Sequence, residues 1–237
     1  MEAAPSRTAM IAAVGRGRLR QEETPPWVLD DTFALVLVGP VWQELRERLD
    51  SLFPGQVGRE ACAAVCTRSR YAEDRLTAGT FAQYVILGAG LDSLAWRRPD
   101  LLRSLRVFEV DHPASQAWKL KRVRDLALPV GDSHVFVPAD FEAEPVRDAL
   151  GTAGFDSGQP ALFSWTGVAP YLTAPAIEST LRMIAGPRPA RRWCSPTWPK
   201  SPCSMTSGKS SYGATPRWRP QLASRFSPAG RSLRSSG

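Results

Sequence analysis

The chain has 237 residues, of which 43% are hydrophobic and 22% are charged, and its formal net charge is +7. This composition is typical of a soluble globular protein, and the length suits one α/β domain with an N-terminal extension. No apolar run approaches the roughly 18 residues that a membrane-spanning helix needs. We therefore expect a cytoplasmic protein without a membrane partner.

The positive charge is confined to the end of the chain. Residues 1–185 contain 20 Lys and Arg against 23 Asp and Glu, whereas residues 186–237 contain 10 Lys and Arg and no acidic residue. A nucleic-acid-binding domain carries its basic residues on the folded surface, where they meet the phosphates. The charge distribution therefore argues against a nucleic-acid partner for the main domain.

The sequence pattern predicts helices in the N-terminal part of the chain. Apolar residues recur at helical spacing over residues 27–52, and another helix is predicted from Arg59 to about Ala78. Cys62 and Cys66 lie one turn apart in that helix, without a neighbouring His. A zinc site needs four ligands, so we expect two small buried residues and no metal.

Beyond residue 78 short apolar runs alternate with segments of helix length. The runs are residues 84–87, 107–110, 135–137 and 161–165, and the helical segments are 113–126, 142–150 and 174–185. Continuously apolar runs of this length are typical of parallel strands that are buried on both faces. The alternation predicts an α/β fold with a doubly wound, mostly parallel sheet.

This alternation stops after residue 185. Residues 186–237 contain 8 Pro, 11 Ser and 5 Gly, but only three residues from Leu, Ile, Val and Phe together. Such a segment cannot bury enough apolar surface to offset its ordering entropy, so we predict that the C-terminal strands are missing. Three regions follow: a helical extension or cap (1–67), an α/β core (68–185) and a basic Pro/Ser/Arg-rich tail (186–237).

The first predicted strand runs into a glycine turn, Leu87-Gly88-Ala89-Gly90-Leu91-Asp92. Glycines at the carboxyl end of a strand let the backbone turn sharply and approach a ligand closely. Asp111 ends the second strand, where a carboxylate suits the two hydroxyls of a ribose. A dinucleotide site would have a third glycine at Ser93, so the pattern favours a nucleoside ligand without a pyrophosphate. In the alternative, the glycines only shape a tight turn.

Four segments carry a resemblance to a known family: YVILGAGLD at 84–92, RVFEVDHP at 106–113, SWTGVAPYLT at 164–173 and TRSRYAEDRL at 67–76. Together they resemble the leucine carboxyl methyltransferase-like family, and within it a bacterial group of S-adenosyl-L-methionine-dependent methyltransferases, over residues 5–185. The resemblance implies a Rossmann-like methyltransferase fold and the cofactor S-adenosyl-L-methionine. It also implies methyl transfer to an oxygen of an unknown acceptor, which is a carboxylate in the family's named member.

The resemblance assigns cofactor contacts to five residues in these motifs and near them. Gly88 and Gly90 would border the methionine part of the cofactor, and Asp111 would bind the ribose hydroxyls. Asp140 would face the exocyclic amine of the adenine, with the ring of Phe141 against the base.

The same resemblance concerns four further positions. Arg70 resembles the arginine that holds the methionine carboxylate, with Arg68 as a close alternative, because a guanidinium pairs with a carboxylate through two hydrogen bonds. Either could instead be a solvated helix charge. Tyr171 would line the mouth of the acceptor pocket, or serve only in packing. Thr166 stands where family members often carry Glu, so it receives no acidic role.

No catalytic residue is assigned. A carboxylate acceptor is already ionised near neutral pH and needs no general base, and His112 and His134 are expected to be structural. The partner is a small-molecule or carboxylate-bearing acceptor. Two alternatives are an NAD-dependent oxidoreductase, which shares the glycine turn and the strand-end acid, and a non-catalytic remnant whose basic tail binds polyanions.

The family continues beyond residue 185 with a fifth strand, where this chain has GPRPARRWCSPTWPKSP at 186–202. Such a composition is typical of a GC-rich gene read out of frame, and we hypothesise a frameshift near residue 186. The alternative is a genuine basic tail. If the frame is shifted, strand 161–165 becomes an exposed sheet edge, and we expect poor solubility and little activity.

Overall fold

The computed structural model describes residues 6–143, 145–186 and 191–194, and a parallel sheet forms the centre of this part of the chain. The strands are β1 (Gln83–Leu87), β2 (Arg106–Asp111), β3 (His134–Pro138), β4 (Ala161–Trp165) and β5 (Arg191–Cys194). Their order in the sheet is β3-β2-β1-β4-β5, and every neighbouring pair is parallel. The doubly wound α/β fold predicted from the sequence is thereby confirmed.

Helices precede the sheet and connect its strands. They are α1 (Arg7–Glu22), α2 (Ala34–Val38), α3 (Trp42–Leu52), α4 (Gln56–Ala78), α5 (Leu94–Arg97), α6 (Pro113–Asp125), α7 (Val146–Thr152) and α8 (Ala174–Ala185). Helix α7 begins later than predicted because Pro145 precedes its first residue, and proline disfavours helical geometry in the residue before it. None of the described helices is both long enough and apolar enough to span a bilayer.

The prediction that no strand follows residue 185 is wrong for residues 191–194. The backbone of this segment pairs with β4, with Ala161 opposite Arg191 and Ser164 opposite Cys194, so β4 is not the edge of the sheet. A strand needs only backbone N–H and C=O groups, and this proline-free stretch between Pro189 and Pro196 supplies them. The rest of the predicted tail, at 187–190 and 195–237, lies outside the described residues, and the frameshift hypothesis stays a prediction.

Alternate residues of a strand point to opposite sides of the sheet. In the central strands β1, β2 and β4, residues on both sides are buried. On one face Val85, Phe108 and Phe163 pack in a cluster with residues of α7 and α8. On the other face Tyr84 and Leu162 pack with residues of α4 and α5. This double burial explains why the strands read as uninterrupted apolar runs in the sequence.

The N-terminal helices pack against α4 and against the glycine turn. Their shared core includes Val14, Leu49, Cys62 and also Leu91 of that turn. Cys62 and Cys66 are buried free thiols, as the sequence predicted. Burial raises the pKa of the Cys66 thiol to about 12, so it is a packing residue and not a nucleophile.

Candidate functional site

The glycine turn lies at the centre of the carboxyl edge of the sheet. The end of β1 is flanked by Val110 of β2 and Trp165 of β4. Gly88 and Gly90 have φ angles of +70° and +52°, a region that residues with a side chain rarely adopt. A Cβ atom at Gly88 would lie 2.1 Å from Cγ2 of Val168. The local geometry therefore requires glycine at both positions and leaves no room for a side chain at the first.

Asp111, the last residue of β2, contacts the glycine turn from the neighbouring strand. Its carboxylate accepts hydrogen bonds from the backbone N–H groups of Gly90, at 2.5 Å, and of His112, at 2.7 Å. Burial raises the pKa of Asp111, although both of these hydrogen bonds oppose the shift. A carboxylate can accept about four hydrogen bonds, so Asp111 keeps capacity for further donors beside the turn.

Asp140 and Phe141 follow β3 and extend the site along the same edge. Oδ1 of Asp140 accepts from the N–H of Glu142 at 2.9 Å, and Oδ2 lies 3.9 Å from Nε2 of His112. The ring of Phe141 stacks against Trp165 at the end of β4, with a centroid distance of 6.4 Å and an interplanar angle of 9°. The structure thus brings the residues predicted after β1, β2 and β3 to one edge.

The two candidate arginines lie on different sides of α4, since residues two positions apart in a helix are rotated by roughly 200°. Nη1 of Arg68 lies 3.9 Å from the position of a Cβ atom on Gly167, immediately before the valine that contacts Gly88. Arg70 instead donates to Asp74 at 2.7 Å and is about half exposed. The structure therefore brings Arg68 to the carboxyl edge, and the described contacts of Arg70 do not lead there.

Tyr171 lies in a 3₁₀ turn, Ala169–Tyr171, that directly follows the valine packed on Gly88. Its side chain is exposed. Both features fit a residue at the mouth of a site on this edge, although a surface packing role fits equally.

Sequence reasoning missed two residues that hold the turn from the outside. Nη2 of Arg16 donates to the carbonyl oxygen of Leu91 at 2.6 Å, and Nε of the same guanidinium donates to Asp31 at 2.7 Å. Asp31 also accepts from the hydroxyl of Ser93 at 2.8 Å. The bond from Arg16 to Leu91 joins residues 75 positions apart, and the bond from Ser93 to Asp31 joins residues 62 positions apart. No local sequence motif indicates either contact.

The described residues contain no group of His, Cys, Asp and Glu side chains suited to a metal ion. The family of the chain indicates which kind of ligand site this is. Residues 9–185 match the sequence profile of the family described as leucine carboxyl methyltransferase. The chain belongs to this family. The resemblance that the motifs carried is thereby confirmed.

Several bacterial relatives have names that assign them provisionally to the S-adenosyl-L-methionine-dependent methyltransferases. Bacillus subtilis YktD is 46% identical over 91 residues, which are 38% of this chain and 30% of that protein. A Mycobacterium bovis relative is 33% identical over 180 residues, 70% of this chain and 55% of its own length. A Frankia alni relative is 32% identical over 188 residues, 75% and 58% respectively. The chain spans about half the length of the latter two.

Proposed function

We propose that this chain binds S-adenosyl-L-methionine at the carboxyl edge of its sheet and acts as a methyltransferase. The names of its relatives support this assignment, and so does its family. The observation that carries it is the Asp111 carboxylate, bonded to the N–H of Gly90 and able to accept the two ribose hydroxyls of a nucleoside.

The other parts of the cofactor are assigned to the neighbouring strand ends. Arg68 is the better candidate for the methionine carboxylate, because it reaches the edge beside Gly167. Asp140 and Phe141, one strand beyond Asp111, are assigned to the adenine amine and ring. In this arrangement the cofactor lies across the ends of β1, β2 and β3, and the acceptor approaches over β4, near Tyr171.

The reaction we propose is methyl transfer to an oxygen, with a carboxylate as the acceptor. The bound cofactor supplies a methyl group already activated by the positive sulfonium. The chain's residues hold the cofactor and acceptor in line, and such positioning accounts for several kcal/mol of barrier reduction. An ionised carboxylate attacks without losing a proton, so no residue of this chain is assigned as a general base.

The oxidoreductase alternative is less well supported. The dinucleotide fingerprint has a third glycine, which lets the following helix pack closely on the strand, where this chain has Ser93. The hydroxyl of Ser93 is already bonded to Asp31. The family match favours the methyltransferase. The remnant alternative depends on the basic tail, most of which lies outside the described residues.

Asp111→Ala is expected to weaken the binding of S-adenosylhomocysteine, the reaction product, by about 1–3 kcal/mol, because a charged hydrogen-bond partner is lost. Titration calorimetry on the full chain measures this change. Asp132→Ala is the matched control, since Asp132 is exposed and lies before β3, at the opposite end of the strands. Equal affinity of the Asp111 variant and the parent chain contradicts the ribose assignment.

Arg68→Ala is expected to weaken S-adenosylhomocysteine by about 1.5–3 kcal/mol, the range for a hydrogen bond to a charged group. Binding of 5′-methylthioadenosine, which lacks the amino-acid carboxylate, should change little. Arg70→Ala removes an equal charge from the same helix and should leave both affinities unchanged. If instead Arg70→Ala alone discriminates between the two ligands, the carboxylate is held by Arg70.

A further inference from the structure

Two successive carbonyl groups of the glycine turn are each held by a buried cation. The carbonyl oxygen of Leu91 accepts from Nη2 of Arg16 at 2.6 Å, and that of Asp92 accepts from Nζ of Lys119 at 2.7 Å. Arg16 is 7% exposed and Lys119 is 1% exposed. The cations come from α1 and α6, so the turn is held between the N-terminal helix and the helix that follows β2.

The Arg16 guanidinium is itself fixed in place by Asp31. The Asp31 carboxylate is fully buried and accepts from Nε of Arg16, from the hydroxyl of Ser93 and from two backbone N–H groups at the start of α2. The hydroxyl of Ser93 also accepts a hydrogen bond from Nε of Arg97. Nη2 of Arg97 in turn donates to the Glu73 carboxylate of α4 at 2.6 Å. One buried network therefore joins the N-terminal helix, the glycine turn and α4.

The inner side of the turn is held separately, by β2. The N–H of Gly88 donates to the carbonyl of Val110, and that of Gly90 donates to Asp111. Two glycines at positive φ give this segment much conformational freedom when it is not restrained. Restraint on both sides before the ligand arrives reduces the entropy that binding must remove.

We propose that Arg16, oriented by Asp31, is a positioning residue for the cofactor, which fixes the outer side of the glycine turn from the N-terminal helix. This inference rests on the proposed function. It assigns the N-terminal helix a part in cofactor affinity through the carbonyl of Leu91 and, by way of Asp31, through the hydroxyl of Ser93. The helix needs no ligand contact of its own.

The matched control lies one turn further along the same helix. Arg20 forms an ion pair with Asp30 at 2.5 Å, but that pair is on the surface, with side chains 33% and 54% exposed. Arg16→Met and Arg20→Met thus remove the same group from the same helix, each bonded to one of two adjacent aspartates. Only the first of these variants removes a hydrogen bond to the turn.

The test combines two measurements on the full chain, at a temperature where circular dichroism shows each variant folded. Calorimetry gives the S-adenosylhomocysteine affinity, and hydrogen exchange without ligand gives the protection of amides 88–93. Arg16→Met should bind at least tenfold more weakly and exchange these amides faster, with exchange in β2 and β3 unchanged. Arg16→Lys should recover part of both effects, and Arg20→Met should match the parent.

Arg16→Met leaves Asp31 buried without its main partner, so this variant can fail to fold. Arg16→Lys and Ser93→Ala keep the buried charges, so in that case these two variants test the proposal. Each is expected to lose about threefold to tenfold in S-adenosylhomocysteine affinity. A lower melting temperature combined with parental affinity and parental exchange at 88–93 overturns the positioning role. If the parent chain itself does not bind S-adenosylhomocysteine, the proposed function fails, while the exchange measurement still tests whether Arg16 orders the turn.

Discussion

Replacing Lys119 with methionine is expected to lower the free energy of unfolding by about 3–5 kcal/mol, the usual cost of removing one partner of a buried ion pair. Nζ of Lys119 bonds to the Glu109 carboxylate, and both side chains are 1% exposed. Nε2 of His134 also bonds to Glu109, at 2.9 Å. Burial alone would raise the pKa of Glu109, but the charge of Lys119 and the His134 hydrogen bond outweigh it and hold the pKa below its usual value.

The matched control for this variant is Lys121→Met, two residues further along α6. Lys121 pairs with Asp125 at the surface, where the side chains are 60% and 41% exposed. Exposed pairs of this kind contribute about 0.2–1 kcal/mol. Urea unfolding at neutral pH compares the two variants with the parent. Equal midpoints for Lys119→Met and Lys121→Met contradict the view that the buried pair stabilises the fold.

Gly88→Ala is expected to remove cofactor binding and to destabilise the chain. Left-handed backbone strain costs about 1–2 kcal/mol for an alanine, and the methyl group lies within 2.1 Å of Cγ2 of Val168, an overpacking that costs about 1–3 kcal/mol more. Because the turn must move to relieve this contact, S-adenosylhomocysteine affinity should fall by more than tenfold. Thermal unfolding and calorimetry measure the two effects.

The double variant Gly88→Ala/Val168→Ala separates the two causes. Removing the valine methyl groups relieves the overpacking but not the backbone strain, so we expect partial recovery of stability. Gly151→Ala is the control, since Gly151 lies in α7 and a Cβ atom there has no neighbour within 4 Å. If Gly88→Ala behaves like Gly151→Ala, the turn is more adaptable than its geometry indicates.

The strands could be predicted because burial on both faces leaves an uninterrupted apolar run, and β4 was predicted at its observed bounds. Two of the elements that were not predicted show why sequence patterns are insufficient. Helix α1 was not predicted individually because its buried face includes Arg16 and Arg18, which are compensated by Asp31 and Asp50 from distant segments. Strand β5 was missed because its pairing depends on backbone groups, which composition does not report.

The candidate site also has features that the sequence could predict and features that it could not. The geometry of Gly88 and Gly90, and the place of Asp111 at the end of β2, could be predicted because they depend on a local turn and on one strand end. Their roles in cofactor binding stay a prediction. The choice between Arg68 and Arg70 depends on which side of α4 faces the carboxyl edge, and both positions fit the motif equally. The hydrogen bond from Arg16 to the carbonyl of Leu91 joins residues 75 positions apart and involves a buried charge. It could therefore be found only in the folded chain.

The central claim is that the carboxyl edge of this sheet binds the nucleoside cofactor of a methyltransferase. The most direct test is calorimetric titration of the full chain with S-adenosylhomocysteine, repeated in the presence of saturating NAD. We predict saturable binding at one site per chain, unaffected by NAD. Binding of NAD that excludes S-adenosylhomocysteine, or no binding of S-adenosylhomocysteine by a chain that circular dichroism shows to be folded, contradicts the claim.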